Sequence, residues 1–315
     1  MSTEKRISSN SFYGPLHDVA GDAGYDAEHP PRVGFFTDTS VCIGCKACEV
    51  ACKEWNEVPV SGEGDGFNLL GMSFDNTGEL GANSWRHVAF IEQSRPEPVE
   101  SVDLGMPGFE RPGDATGAET RQDFRWLMAS DVCKHCTHAG CLDVCPTGAL
   151  FRTEFSTVVV QQDICNGCGY CVSGCPYGVI ERREGDGRAW KCTLCYDRLH
   201  DGLEPACAKA CPTDSIQFGV LDELRERAAL RVSELHERGI TEARLYGHDP
   251  DDGVGGDGAF FLLLDEPEVY GLPPDPVVPT RDAGAMWHYA GMAASALVGV
   301  AVSAFLGRPF AGRRP

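Results

Sequence analysis

Asp163-Ile-Cys165-Asn-Gly-Cys168-Gly-Tyr-Cys171-Val-Ser-Gly-Cys175-Pro176 is the segment around which the chain is organised. Its spacing, C-x2-C-x2-C-x3-C-P, is a ligand run for 4Fe-4S clusters. Three thiolates placed every third residue on a tight loop each reach a different iron of one cubane. The fourth follows a short helical start and is turned away by Pro176, so it serves a second cluster. A second cluster needs a second run.

Three more runs exist, and the four together use all 16 cysteines. The first is Cys42, Cys45, Cys48 and Cys52, with the same spacing but Lys53 in place of the proline. The second is Cys133, Cys136, Cys141 and Cys145, followed by Pro146, with a wider central gap. The fourth is Cys192 and Cys195, then Cys207 and Cys211 with Pro212. Disulfides fit short secreted chains better than tetrads of this kind. Structural zinc is the remaining metal alternative, which colour and iron content separate from clusters. His135 and His138 lie inside the second run, where four cysteines already suffice, so a solvent or partner contact is expected for both.

A chain of 315 residues with 42% hydrophobic content supports two modest domains plus appendages. Its net charge of −20 opposes binding to phosphate backbones, which excludes nucleic acid as an expected partner. Met1 to Gly14 is polar, with no apolar signal segment and no twin arginine. Ala283 to Gly307 contains no charged side chain and, at about 1.5 Å per residue, reaches about 37 Å as a helix, enough to cross a lipid bilayer. Within it Gly291, Ser295, Gly299 and Ser303 recur every fourth residue, a stripe that lets another helix approach. Trp287 and Tyr289 suit an aromatic belt, and His288 an interfacial position. Arg308, Arg313 and Arg314 follow the helix against Arg281 before it. The expectation is a single-pass protein of the cell membrane, with a cytoplasmic C-terminus and an extracytoplasmic cluster body carried across by a partner.

Along the chain, residues 1–32 read as an extended arm on a partner. Strands are expected at Val33–Asp38, Trp85–Ile91 and Phe124–Met128, and a helix over Glu49–Trp55. Arg95–Glu119, rich in proline and glycine, reads as a surface insertion. Gly148–Phe151 with Ser156–Val160 suggests one hairpin, and Val179–Arg182 with Arg188–Trp190 another. Leu221, Leu224, Ala228, Val232 and Leu235 predict an amphipathic helix stopped by Gly239. Leu245–Tyr246 and Ala259–Leu264 read as late strands, and Asp265–Pro279 as a stiff linker. Gly253-Val-Gly255-Gly-Asp-Gly258 matches a dinucleotide fingerprint, but it follows acidic residues rather than a strand, so a flexible acidic loop is expected. Nothing gives a serine or histidine a catalytic context, so the chain reads as non-catalytic.

The four runs, their order and the terminal helix resemble the iron–sulfur (beta) subunits of membrane-bound respiratory formate dehydrogenases. The resemblance rests on Cys42-Ile-Gly-Cys-Lys-Ala-Cys-Glu-Val-Ala-Cys-Lys-Glu-Trp-Asn56, Lys191-Cys-Thr-Leu-Cys-Tyr-Asp-Arg198 and Tyr270-Gly-Leu-Pro-Pro274, and covers residues 33–310. Subunits of sulfoxide, thiosulfate and polysulfide reductases, and of one class of hydrogenase, share the broad pattern. The resemblance implies an α+β fold of two ferredoxin-like 4Fe-4S domains with one C-terminal transmembrane helix. It implies four 4Fe-4S clusters with nested ligands: Cys42, Cys45, Cys48 and Cys211; Cys52, Cys192, Cys195 and Cys207; Cys133, Cys136, Cys141 and Cys175; Cys145, Cys165, Cys168 and Cys171. The implied units are 33–125 with its insertion, 126–187, and 188–282 completing the first, followed by 283–315 as helix and tail. The implied partners are a molybdopterin-containing catalytic (alpha) subunit and a membrane cytochrome b-type (gamma) subunit.

Overall fold

Val33-Gly-Phe-Phe-Thr-Asp38 lacks the alternation of a half-buried strand because both of its faces are covered. In the computed structural model, which describes residues 16, 18–59, 78–95 and 123–306, it forms β1 (Val33–Asp38). β10 (Ala259–Leu263) lies parallel to it, with Phe35 opposite Ala259, and β8 (Ile216–Val220) lies antiparallel on its other side. β9 (Arg244–Tyr246) joins β10 to complete the order β8-β1-β10-β9. One face packs Phe36, Phe260 and Leu262 on Leu221, Leu224, Ala228 and Leu235 of helix α6 (Leu221–Glu237). The other presents Phe35 and Ala259 to Cys48, Cys52, Cys133, Cys192 and Cys207. The sheet is thus a wall between an amphipathic helix and the cysteine core. Gly239, at φ +84°, follows the end of α6 in the left-handed conformation that a C-terminal glycine supplies.

β2 (Arg86–Arg95) and β3 (Asp123–Val132) form a long antiparallel pair, Arg86 opposite Val132. β3 crosses the expected boundary after residue 125, and most of the Arg95–Glu119 insertion lies outside the described residues. β4 (Leu150–Arg152) pairs with β5 (Val158–Val160), and β6 (Glu181–Arg182) with β7 (Ala189–Trp190), both antiparallel as the spacing predicted.

The short helices carry the ends of the cysteine runs. α1 (Ala47–Trp55) packs on α5 (Ala206–Lys209), and α2 (Gly140–Asp143) on α3 (Tyr170–Ser173). α4 (Tyr196–His200) follows the first two cysteines of the fourth run. The first run therefore meets the fourth, and the second meets the third: two ferredoxin-like units, one inserted within the other.

Two expectations give way to packing. The described part of the N-terminal arm lies on this chain's own body: Tyr25 Oη donates to the Arg152 carbonyl at 3.0 Å and Arg32 Nη1 to Thr137 Oγ1 at 2.7 Å. Asp265–Pro279 is no free linker, because Leu272 and Val278 are buried and Tyr246 Oη donates to the Pro273 carbonyl at 2.6 Å. Proline-rich chain lacks internal donors, so its carbonyls turn to the body. Thr280 Oγ1 then donates to Asp143 Oδ2 of α2 at 2.7 Å, just before α7 (Ala283–Leu306) begins. α7 is long and apolar enough to cross a membrane, and none of its side chains is buried. Ser295 and Ser303 donate back to the carbonyls of Gly291 and Gly299, so both hydroxyls are satisfied within the helix.

Candidate metal centre

The fold gathers the cysteines into four neighbouring sets. Cys42, Cys45, Cys48 and Cys211 line one cavity, closed by Val88, Ser130 and Ile216. Cys133, Cys136, Cys141 and Cys175 line another, under Val179 and Ile180. Cys52 interacts electrostatically with Cys192, Cys207 and Cys195, and Cys171 with Cys165, Cys145 and Cys168. The sets also abut in sequence: Cys48 reaches Cys207, Cys192 reaches Cys133, and Cys141 reaches Cys171. That is a row, first set to second, second to third, third to fourth.

Burial pushes most of these thiols up: Cys48 and Cys171 each to about 11, and Cys52 well above its usual value. Cys145 goes the other way. Burial opposes its charge, but the amides of Leu150, Thr147 and Ala149 and the Thr147 hydroxyl overcome that and hold it low. Amides aimed at sulfur favour the thiolate, the form that binds metal.

The loops owe their shape to left-handed residues. Gly44 and Lys46 in the first run, and Gly167 and Gly169 in the third, stand at the same two offsets with φ between 58° and 80°. His135, Leu194 and Cys195 adopt positive φ in the second and fourth runs without being glycine. Turned this way the backbone points amides inward, and Leu194 N donates to Cys192 Sγ at 3.3 Å. Gly174 works differently: a Cβ there would lie 2.8 Å from Val144 and 3.0 Å from the Gly140 carbonyl. Its smallness lets α2 and α3 pack, rather than bringing an amide to a sulfur.

Two buried cations test whether the residues fit a cluster. Arg86, 1% exposed, donates from Nη2 to Cys207 Sγ at 3.2 Å and from Nη1 to the Ser130 carbonyl at 3.2 Å, while its guanidinium stands 4.9 Å from the Phe35 ring. Ser130 Oγ is itself 3.3 Å from Cys48 Sγ. Lys191, 2% exposed, donates to Cys133 Sγ at 3.6 Å and to the Cys192 carbonyl at 2.9 Å. Burial works against both charges, and the facing cysteines outweigh it: Cys207, Cys48 and Cys192 for Arg86, Cys133, Cys141 and Cys192 for Lys191. Among the described residues no carboxylate pairs with either cation. A buried cation without an anion costs several kcal/mol. Thiolates bound to iron supply the anion, and the 16 cysteines supply the donors, so the residues fit 4Fe-4S clusters.

Comparison with known proteins agrees with this geometry. Two models, both described as a 4Fe-4S dicluster domain, match residues 41–149 and 124–221. The nitrate-inducible formate dehydrogenase iron–sulfur subunit of Escherichia coli is 37% identical over 88% of this chain and 81% of its own length. The formate dehydrogenase iron–sulfur subunit of Haemophilus influenzae is 38% identical over 80% of this chain and 72% of its own. The protein belongs to the formate dehydrogenase iron–sulfur subunit family. A subunit of the anaerobic dimethyl sulfoxide reductase of Escherichia coli is more distantly similar, 32% identical over 62% of this chain and 77% of its own length.

Within that family framework, three residue-level expectations change. His135 and His138 are buried, 2% and 3% exposed, rather than facing solvent or a partner. The Val158 amide donates to His135 Nδ1 at 3.1 Å, which fixes β5 beside the second run. The Gly253–Gly258 segment is not a flexible loop. Val254 and Asp257 are fully buried, and its carbonyls accept from the amides of Thr137 at 3.0 Å and His138 at 2.8 Å. Its glycines let it run against the second cysteine loop, since a Cβ on Gly255 would lie 2.3 Å from His138. Sequence reasoning missed Arg86, Ser130 and Lys191, and also Asn56, whose Nδ2 lies 3.7 Å from both Cys52 and Cys195 sulfurs. The available signals were a lone arginine in an apolar strand, a lysine abutting Cys192, and the Asn56 that closes the first motif.

Proposed function

We propose that this chain is an electron wire, passing electrons from a formate-oxidising molybdopterin catalytic subunit to a membrane cytochrome b-type subunit and quinone. The observation that carries the reading is the unbroken row of four cysteine sets. Four 4Fe-4S clusters, each a one-electron carrier, are held by the sets Cys42/Cys45/Cys48/Cys211, Cys52/Cys192/Cys195/Cys207, Cys133/Cys136/Cys141/Cys175 and Cys145/Cys165/Cys168/Cys171. The chain's own residues fix the spacing of these sites, exclude water and present amides and cations to the sulfurs.

The two ends of the row carry the exposed cysteines, Cys45 and Cys168. Ile43 and Val50 are exposed near the first, and Ile164, Tyr170 and Val172 near the second, which supports partner docking at both ends. The contact of Thr280 with Asp143, two residues before Cys145, starts α7 beside the fourth set, which supports exit toward the membrane from that set. The dimethyl sulfoxide reductase relative supports a second reading, the same wire run toward a reductase. Formate is preferred because that match spans 88% rather than 62% of the chain.

Cys171→Ala in the intact complex is the test. It should abolish quinone reduction with formate and leave dye-linked formate oxidation at the catalytic subunit in place. Survival of both activities at parental rates sinks the wire. The positive-inside reading puts the body outside the cytoplasm, so protease added to intact spheroplasts should cut it; an uncut body reverses the orientation.

A further inference from the structure

Lys191 stands where the two ferredoxin-like units meet. It directly precedes Cys192 of the second set, and its side chain reaches Cys133 of the third. The Nζ donates to three groups: Cys133 Sγ at 3.6 Å, the Cys192 carbonyl at 2.9 Å and the Val158 carbonyl of β5. The third set's cavity is lined by Lys191 together with His135, Val158, Tyr177, Val179 and Ile180. Among the described residues no acidic side chain pairs with it. Lys134, on the same cavity, is by contrast paired with Asp131. Lys191 is therefore a buried cation at the middle junction of the row that faces cysteines rather than carboxylates, as Arg152 does on the side of Cys136 and Cys141.

We propose that Lys191 is the potential-setting residue of that junction: its ammonium, held against Cys133, favours the electron-loaded state of the Cys133/Cys136/Cys141/Cys175 site. The proposal rests on the cluster reading above. Its physics is simple. An electron arriving at that site adds one negative charge and no proton. A cation held a few ångströms away in a water-poor interior lowers the energy of that charge, and salt does not screen it. The second set receives less of the effect, because there the ammonium meets a carbonyl oxygen rather than a sulfur. The first and fourth sets, with their own surroundings, receive little. Lys191 is a positioning residue for charge and touches no substrate.

The experiment is a redox titration of the purified complex, followed by electron paramagnetic resonance, for the parent and for Lys191→Met, Lys191→Gln and Lys191→Arg. Iron and acid-labile sulfide are measured on each preparation. In Lys191→Met and Lys191→Gln one cluster signal should move to lower potential, so that at its parental midpoint the reduced fraction falls several-fold below half. Lys191→Arg, which keeps the charge, should return that midpoint to the parental value. Midpoints that stay put in an iron-replete Lys191→Met complex overturn the role of Lys191 alone. Values that follow side-chain size or iron content instead of charge overturn it too. A parental complex without iron and sulfide overturns the cluster reading, and this role with it.

Discussion

Arg86→Met should act with opposite sign on the iron-loaded and the iron-free protein. The guanidinium donates to Cys207 Sγ at 3.2 Å and reaches Cys48 through Ser130, and iron binding would make both sulfurs thiolates. Charge-assisted bonds of that kind contribute about 1.5–3 kcal/mol, so the loaded variant should lose about 2 kcal/mol. Without iron the balance changes. Burial pushes the Cys48 thiol up to about 11, so at neutral pH it is protonated and the cation loses that anion. An uncompensated buried charge costs about 3–5 kcal/mol. Methionine fills the apolar part of the space over Phe35 and removes that cost but forfeits the bond to the Ser130 carbonyl, about 1.5–3 kcal/mol, so the stripped variant should gain about 2 kcal/mol over the stripped parent. The assay is urea unfolding followed by far-UV circular dichroism, on anaerobically purified protein and on the same protein after chelation. A loss of equal size in both forms would show that Arg86 serves packing alone, and would refute the argument that the sulfurs are its anions.

Two further outcomes follow from packing and titration. Gly255→Ala should destabilise the body by about 1–3 kcal/mol and loosen the second run, since Gly255 has φ +76° and its new Cβ would lie 2.3 Å from His138; thermal unfolding with iron retention reads both, and an unchanged melting temperature counts against the close contact. Burial holds His248 below the usual imidazole range, with Nδ1 unpartnered, so the unfolded chain takes up its proton first. The parent should then lose stability as pH falls through about 6.5 toward the lower folded value, while His248→Gln should show a flatter melting-temperature profile between about pH 7.5 and 5.5; parallel profiles would rule this out.

Much of the site was legible in the cysteines because cluster ligation demands fixed spacings on tight loops, and spacing is a property of sequence. The hairpins at 148–160 and 179–190 and helix α6 were legible for a similar reason, since their periods and turn residues are local. Other features had no local signature. His135 and His138 read as polar and exposed, yet the Gly253–Gly258 segment, more than a hundred residues later, covers them. The same segment read as a flexible acidic loop because its glycines answer to a distant contact. Asp265–Pro279 looked like a tether, and became a strap because Leu272 and Val278 find the body.

The stretch Asp163–Pro176 carries the same division. Its spacing alone carries the donor pattern: four thiols at x2-x2-x3 before Pro176, which predicts three for one cubane and Cys175 for another. Its neighbours come from packing. It set Cys145 beside Cys171, Cys175 in the cavity of Cys133, and Lys191 against Cys133 at the junction with the fourth run. Those meetings depend on close helix packing at Gly140 and Gly174 and on the burial of charges whose partners lie far away in sequence.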